Sequence, residues 1–276
     1  MQVGLLTSPF GNESLEQVIE FAGANGFDAL EVASGPGGGH VDFADLSDAR
    51  AAEIKKLLEK NSLVISSLAW YTNMTDVGKR DETARDFRLL VDAAQKLGVG
   101  VVCTLAGMPV AGKDKLKTIE EDCAVVFPPL VEYAASKGIK VALENWFATC
   151  LQGLAHFDKM FETVPNESFG LNFDPSHLLH QGIDYIAAVE RYAKRIFHTH
   201  AKDTEVRDDK LAYLGNQMGG WWRYVIPGFG RVKWGEYIAC LRRNGYNGVL
   251  SIEHEDGALG REEGFIKGKK YLRLFA

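Results

Sequence analysis

The residues able to do chemistry in this chain fall in four short stretches: ENW at 144–146, DPSH at 174–177, HTHAK at 198–202 and EHE at 253–255. Each closes a short apolar run. Carboxylates and imidazoles gathered in one place either hold a divalent cation or move protons. Whether they gather depends on the elements that carry them.

Eight apolar runs read as strands: 2–8, 29–34, 63–70, 100–107, 140–146, 169–174, 195–202 and 248–255. Between them lie segments with helical periodicity. In one, Leu15, Val18, Ile19 and Ala22 share a face and Gly26 supplies a stop signal. A long helix is expected near 115–137. Strict alternation of strand and helix with right-handed crossovers implies a parallel sheet. Eight such units predict an α/β fold with a single (β/α)8 TIM barrel over 1–276. The competing doubly wound sheet wants a GxGxxG-type turn after its first strand, and TSPFGNES is not one. Residues 203–230 read as the longest irregular region, and GGWWRY within it as an exposed lid or an oligomer contact.

In a barrel, alternate strand residues face inward. With Val141 and Leu143, Leu171 and Phe173, Phe197, Thr199 and Ala201, and Leu250 and Ile252 facing the helices, four ligand-type side chains converge on the C-terminal mouth. They are Glu144, Asp174, His200 and Glu253. Ala142, Asn172, His198 and Ser251 lie one layer beneath. Three carboxylates so close repel unless something neutralises them. One divalent cation (Mn, Mg, Co or Zn) would do so, and the donor set does not choose among them. His200 is the expected ligand of the histidine pair, and His198 its deeper neighbour. His177 and Lys202 stand beside this set as proton donors or substrate contacts. His40, Trp70, Tyr71, Asn73 and Arg223 are further candidate substrate contacts. Lys202 has Asp203 as a possible ion partner.

The bulk numbers exclude some partners. A net charge of −6 without a basic tract argues against nucleic acid and anionic membranes. No apolar run approaches the roughly 20 residues that span a bilayer. Cys103, Cys123, Cys150 and Cys240 lack metal-ligand spacing, and no leader-like stretch opens the sequence, so a reduced cytoplasmic protein is expected.

The motifs ALEN, NFDPSH, HTHAKD, PGFGRVKW and GYNGVLSIEHED resemble the xylose isomerase-like TIM barrels, the sugar phosphate isomerase/epimerase superfamily. The resemblance runs along nearly the whole chain and is most specific in the last four strands. It implies metal ligands at Glu144, Asp174, His200 and Glu253, and a substrate contact at His177. Ketose 3-epimerases, hydroxypyruvate isomerase, inosose isomerase, inosose dehydratase, enzymes acting on 3-keto-glycosides and endonuclease IV belong to that group. Two departures stand out. Where ketose 3-epimerases carry a second Glu six residues after the strand-5 ligand, this chain has Cys150. Where they carry an Arg after the strand-7 histidine, it has Val206, with Arg207 next.

The resemblance implies enolisation of a keto-sugar or keto-polyol. A cation would act as a Lewis acid on the carbonyl, and a carboxylate, Glu144 or Glu253, would take the α-proton. Return of the proton gives isomerisation or epimerisation, the leading expectation. Loss of a β-leaving group from the same enediolate gives a lyase, inosose dehydratase-like or a 3-keto-glycoside eliminase, with His177, Lys202 or His40 as proton donor. A non-catalytic sugar-binding barrel is the third reading. A homo-oligomer is possible.

Overall fold

A computed structural model describes residues 1–276. The eight expected strands are all present: β1 Gln2–Leu6, β2 Ala29–Gly35, β3 Val64–Ala69, β4 Val101–Leu105, β5 Lys140–Glu144, β6 Phe169–Phe173, β7 Ile196–Ala201 and β8 Val249–Ile252. All pair in parallel with their neighbours, and β1 pairs with both β8 and β2, so the sheet closes. The helices α1 Leu15–Ala24, α2 Asp48–Lys60, α3 Arg80–Leu97, α4 Ala124–Ser136, α5 Leu154–Thr163, α6 Tyr185–Tyr192, α7 Trp234–Arg243 and α8 Arg261–Leu272 surround it. The molecule is a single (β/α)8 barrel. None of its helices is long and apolar enough to cross a membrane.

The outward strand residues, including Val141, Leu143, Leu171, Phe173, Leu250 and Ile252, join the helices in one continuous core. The inward floor is a separate small cluster of Leu6, Ala69, Cys103 and Ala142. Small side chains there leave room above for the polar layers. Gly170 shows how tightly the strands approach: a Cβ on it would stand 2.1 Å from the Arg195 carbonyl oxygen. Two register shifts interrupt the ladder, one in the β2–β3 pair and one in the β6–β7 pair. The first lets two consecutive serines, Ser66 and Ser67, approach His198 Nε2, at 3.0 and 3.4 Å. Irregularities of this kind re-aim side chains near barrel sites.

The long helix expected near 115–137 is present as one continuous helical run, Lys115–Thr118, a π-helical Ile119–Cys123, and α4, with no break between them. Pro128 and Pro129 have no N–H to offer the carbonyls of Ala124 and Val125.

The excursion between β7 and α7 differs from expectation more sharply. It is not irregular. Asp203–Val206 and Trp222–Val225 form an antiparallel hairpin, with a short helix, Asp208–Leu214, in its connection. Within GGWWRY, Trp221 is buried and Trp222 stacks on His180 at 3.9 Å and 8°, while Gly219, Gly220 and Arg223 stay exposed. Its two strands are four residues long and fifteen apart, too short to show a period and too separated for a hairpin signal. Asp203 pins the excursion. Its carboxylate accepts from the backbone N–H groups of Thr204, Gly228 and Val232 and from Trp234 Nε1, at 2.8–3.0 Å. It is therefore not the partner of Lys202.

Candidate metal centre and catalytic cavity

The C-terminal ends of β5 to β8 bring Glu144, Asp174, His200 and Glu253 together. One donor atom from each lies within 4.8 Å of all the others. His200 Nδ1 stands 3.2 Å from Glu144 Oε1, 3.1 Å from Glu253 Oε2 and 3.9 Å from Asp174 Oδ2. Asp174 caps the short helix Pro175–Leu179 with Oδ1, which accepts from Ser176 N at 2.7 Å. Its other oxygen, Oδ2, is buried with no hydrogen-bond donor aligned on it. A buried carboxylate oxygen without a donor is costly. Here it points at the gap between the other three side chains. Three carboxylates, one of them Asp174 with its orphaned Oδ2, and one imidazole nitrogen fit a divalent cation.

Without a cation, the site balances its charge with Lys202 and His200. Lys202 is 1% exposed. Its Nζ lies 2.5 Å from Glu253 Oε2, 3.3 Å from Asp174 Oδ2 and 3.8 Å from Glu255 Oε2. Burial opposes its charge, but Glu253 and Asp174 overcome this and hold its pKa well above the ordinary lysine value. His200 behaves likewise: burial disfavours the imidazolium, and Glu31, Glu253 and Glu144 push its pKa well up. For Glu144, burial favours the neutral acid, yet His200, His177 and Lys202 together drive its pKa well down.

His177 Nε2 sits 3.3 Å from Glu144 Oε1 and also 3.3 Å from Lys202 Nζ. Its Nδ1 is 2.6 Å from the Tyr224 hydroxyl, which comes from the hairpin. One imidazole nitrogen thus touches both a carboxylate and an ammonium. Above them opens a cavity of about 410 Å³, lined by Tyr71, Leu105, Glu144, Trp146, Phe147, His177, Lys202, Tyr224, Glu253 and Glu255. It contains no arginine, and its one lysine is held by carboxylates.

The other substrate-contact candidates lie elsewhere. His40 is half-buried with both ring nitrogens used, Nδ1 on Thr7 Oγ1 at 2.9 Å and Nε2 on the Phe10 carbonyl at 3.2 Å. It ties two loops together outside the cavity, so it is not positioned as a proton donor. Asn73 Oδ1 accepts from Met108 N at 2.8 Å and from Thr75, stapling the loops after β3 and β4. Arg223 pairs with Glu205 and Asp256 on the outer side of the hairpin. Trp70 packs edge-on against Phe43 at 5.3 Å, while its neighbour Tyr71 reaches the cavity. Arg207 is exposed, and Cys150 is buried away from the cavity.

Sequence reasoning passed over Glu31, Glu255, Trp146, Phe147 and Tyr224. Glu31 carried a usable signal: alternation in ALEVAS, with Leu30 and Val32 outward, turns it inward. Tyr224 carried none, since only the hairpin brings it to the mouth.

His198 lies a layer below His200, ring centres 6.3 Å apart. It is 1% exposed, with Nδ1 on Asn172 Oδ1 at 2.9 Å and Nε2 on the serines. Burial, the largest influence, lowers its pKa to about 4 from an ordinary 6.5, although Glu31 opposes this. On acidification the unfolded chain takes up this proton first. The neutral buried ring contributes stability above pH 6.5, and that contribution is lost as pH falls from about 6.5 to about 4. The full amount is about 3 kcal/mol. Urea unfolding of the protein and of His198→Asn at pH 7 and pH 4.5 checks this: the wild type should lose more stability than the variant.

A family profile described as xylose isomerase-like TIM barrel matches residues 19–275. The chain belongs to that family. The inosose dehydratase of Glaesserella parasuis serovar 5 is 30% identical, over 82% of this chain and 81% of its own. Two solved structures share the fold. The probable 3-DHS dehydratase AsbF from Bacillus anthracis superposes with a TM-score of 0.80 at 19% identity, covering 99% of both chains. The IOLI protein, crystallised with a zinc atom, gives 0.76 at 20% identity, covering 100% of this chain and 99% of that one.

Proposed function

We propose that this protein is a divalent-cation-dependent dehydratase of an uncharged keto-polyol or keto-sugar, cytoplasmic in location. The observation that carries this reading is the contact of His177 Nε2 with both Glu144 and Lys202. Glu144, Asp174, His200 and Glu253 would hold the cation. When bound, it polarises the substrate carbonyl and stabilises the charge of the enediolate.

The chain's own groups complete the chemistry. Glu144 removes the α-proton, since Glu253 is engaged by Lys202 at 2.5 Å. The electron pair of the broken C–H bond is first held in the enolate and then moves to the Cα–Cβ bond as the carbonyl re-forms. The β-hydroxyl leaves with a proton from Lys202, as water. His177 then accepts the proton that Glu144 holds and passes it to the Lys202 amine, restoring both groups. Base and acid on one side of the cavity, linked by one imidazole, suit loss of water and do not serve epimerisation. The inosose dehydratase relative supports the same order, which places dehydration ahead of the isomerisation expected from the motifs. Epimerisation keeps one supporting observation: Glu144 and Glu253 both approach His200 Nδ1, from different strands.

Tyr71, Trp146, Phe147 and Tyr224 offer aromatic faces to the C–H surface of a polyol ring. The absence of a free cation in the lining disfavours a phosphate or carboxylate on the substrate. The test is to load the protein with Mn²⁺, Mg²⁺, Co²⁺ or Zn²⁺ and incubate it with inososes, ketoses and a ketose phosphate in D₂O. Enone absorbance and loss of one water from an uncharged substrate, abolished by chelator, is the expected result. Deuterated epimer without absorbance would reassign the protein as an epimerase, and no reaction with any substrate would reject both.

A further inference from the structure

We infer that Glu31 is a positioning residue for the cation site: from β2 it holds the Nε2 edge of His200 so that Nδ1 faces the three carboxylates. This rests on the cation reading above and adds a residue to it from the opposite side of the barrel.

Glu31 is fully buried. Its two oxygens lie 3.2 and 3.1 Å from His200 Nε2. Each oxygen is fixed in turn. Oε1 accepts from the Tyr71 hydroxyl, and Oε2 accepts from Ser251 Oγ at 2.7 Å. Asn172 Nδ2 donates to the same tyrosine at 2.9 Å. Nε2 also lies 3.0 Å from the Tyr71 hydroxyl and 3.0 Å from Asn172 Nδ2. The amide donates to the hydroxyl and the hydroxyl donates to Glu31, which leaves the Glu31 carboxylate as the acceptor facing Nε2, so Nε2 carries the ring proton. Nδ1 is then the nitrogen with a free lone pair, and it is the one within 3.2 Å of Glu144 and Glu253. A carboxylate behind a ligating imidazole fixes the tautomer, orients the ring and raises its basicity. Three strands support His200 of β7 in this way, β2 (Glu31), β6 (Asn172) and β8 (Ser251), together with Tyr71 just after β3.

Glu31, Cys103 and His198 also lie close enough to be read as a second cation site. The hydrogen bonds argue otherwise. His198 Nδ1, the nitrogen nearest Glu31 at 3.8 Å, is committed to Asn172 Oδ1, and Nε2 to Ser66. None of the three residues has an orphaned polar atom, whereas Asp174 does.

The experiment is a Co²⁺ titration of metal-free wild type and Glu31→Gln by calorimetry. In parallel, ¹⁵N NMR of the zinc-loaded proteins reports which His200 nitrogen is protonated. The expected result is one ion per chain, bound about 10- to 100-fold more weakly by Glu31→Gln. In wild type Nδ1 should bind the zinc and Nε2 carry the proton, whereas the variant at the same zinc concentration should show a share of His200 with no ion on Nδ1. If Glu31→Gln does not fold, Ser251→Ala leaves the carboxylate but removes one anchor and should weaken Co²⁺ several-fold. Affinity within twofold of wild type in whichever of these variants folds would overturn the inference. So would a second ion per chain that Glu31→Gln loses. A wild type that takes up no divalent ion would instead defeat the cation reading itself, so the two failures are distinguishable.

Discussion

Glu144→Gln is expected to lower kcat about 10²- to 10⁴-fold, or roughly 3–5 kcal/mol in activation free energy. Glutamine keeps the length and planarity of the side chain but cannot accept the α-proton. Two further consequences follow from the same position. Glu144 Oε1 touches both His177 Nε2 and His200 Nδ1, so the amide breaks the path that returns the proton to Lys202. The variant also removes one negative charge from the donor set, so cation affinity should fall. Single-turnover kinetics at saturating cation separates these effects. A loss of turnover that excess cation does not restore assigns proton transfer to Glu144, and full recovery would assign it a ligand role alone.

Lys202→Met is expected to separate the two halves of the reaction. Methionine matches the unbranched stem but carries no proton. Exchange of the substrate α-hydrogen with D₂O should persist, because Glu144 is untouched. Loss of water should fall about 10²- to 10⁴-fold, the usual contribution of a positioned acid. Exchange and elimination falling together would place Lys202 in binding instead. The variant should also show a stability effect. Removing a buried ammonium leaves Glu253 and Asp174 without their nearest cation, at a cost of about 3–5 kcal/mol when no divalent ion is bound. Added divalent ion should restore more stability to Lys202→Met than to wild type, and thermal unfolding with and without Mn²⁺ measures the difference.

The eight strands, the closed barrel and the convergence of Glu144, Asp174, His200 and Glu253 were all legible in the sequence. The physical reason is the period of two along a strand. Once Leu143, Phe173, Thr199 and Ile252 are assigned to the helix side, their neighbours must face inward, and parallel strands in register stack those neighbours in layers. The same rule reached Glu31 in principle, since it sits between Leu30 and Val32. It could not say that Glu31 would meet His200, because β2 and β7 are not neighbours in the sheet and touch only across the barrel interior.

Loop residues had no such rule. His40 and Asn73 looked like sugar contacts by type, yet both are spent on loop-to-loop hydrogen bonds. Arg223 was drawn outward by Glu205 and Asp256. Tyr224 entered the site, with Trp222 stacked on His180 beside it, only because Val206 pairs with Trp222 and Thr204 with Tyr224 in the hairpin. Local patterning therefore determined the barrel and its inward carboxylates. Tertiary pairing alone decided which aromatic side chains wall the cavity and which acid stands beside the base. Strand alternation is written into adjacent residues, whereas loop contacts are set by partners that the chain meets only after folding.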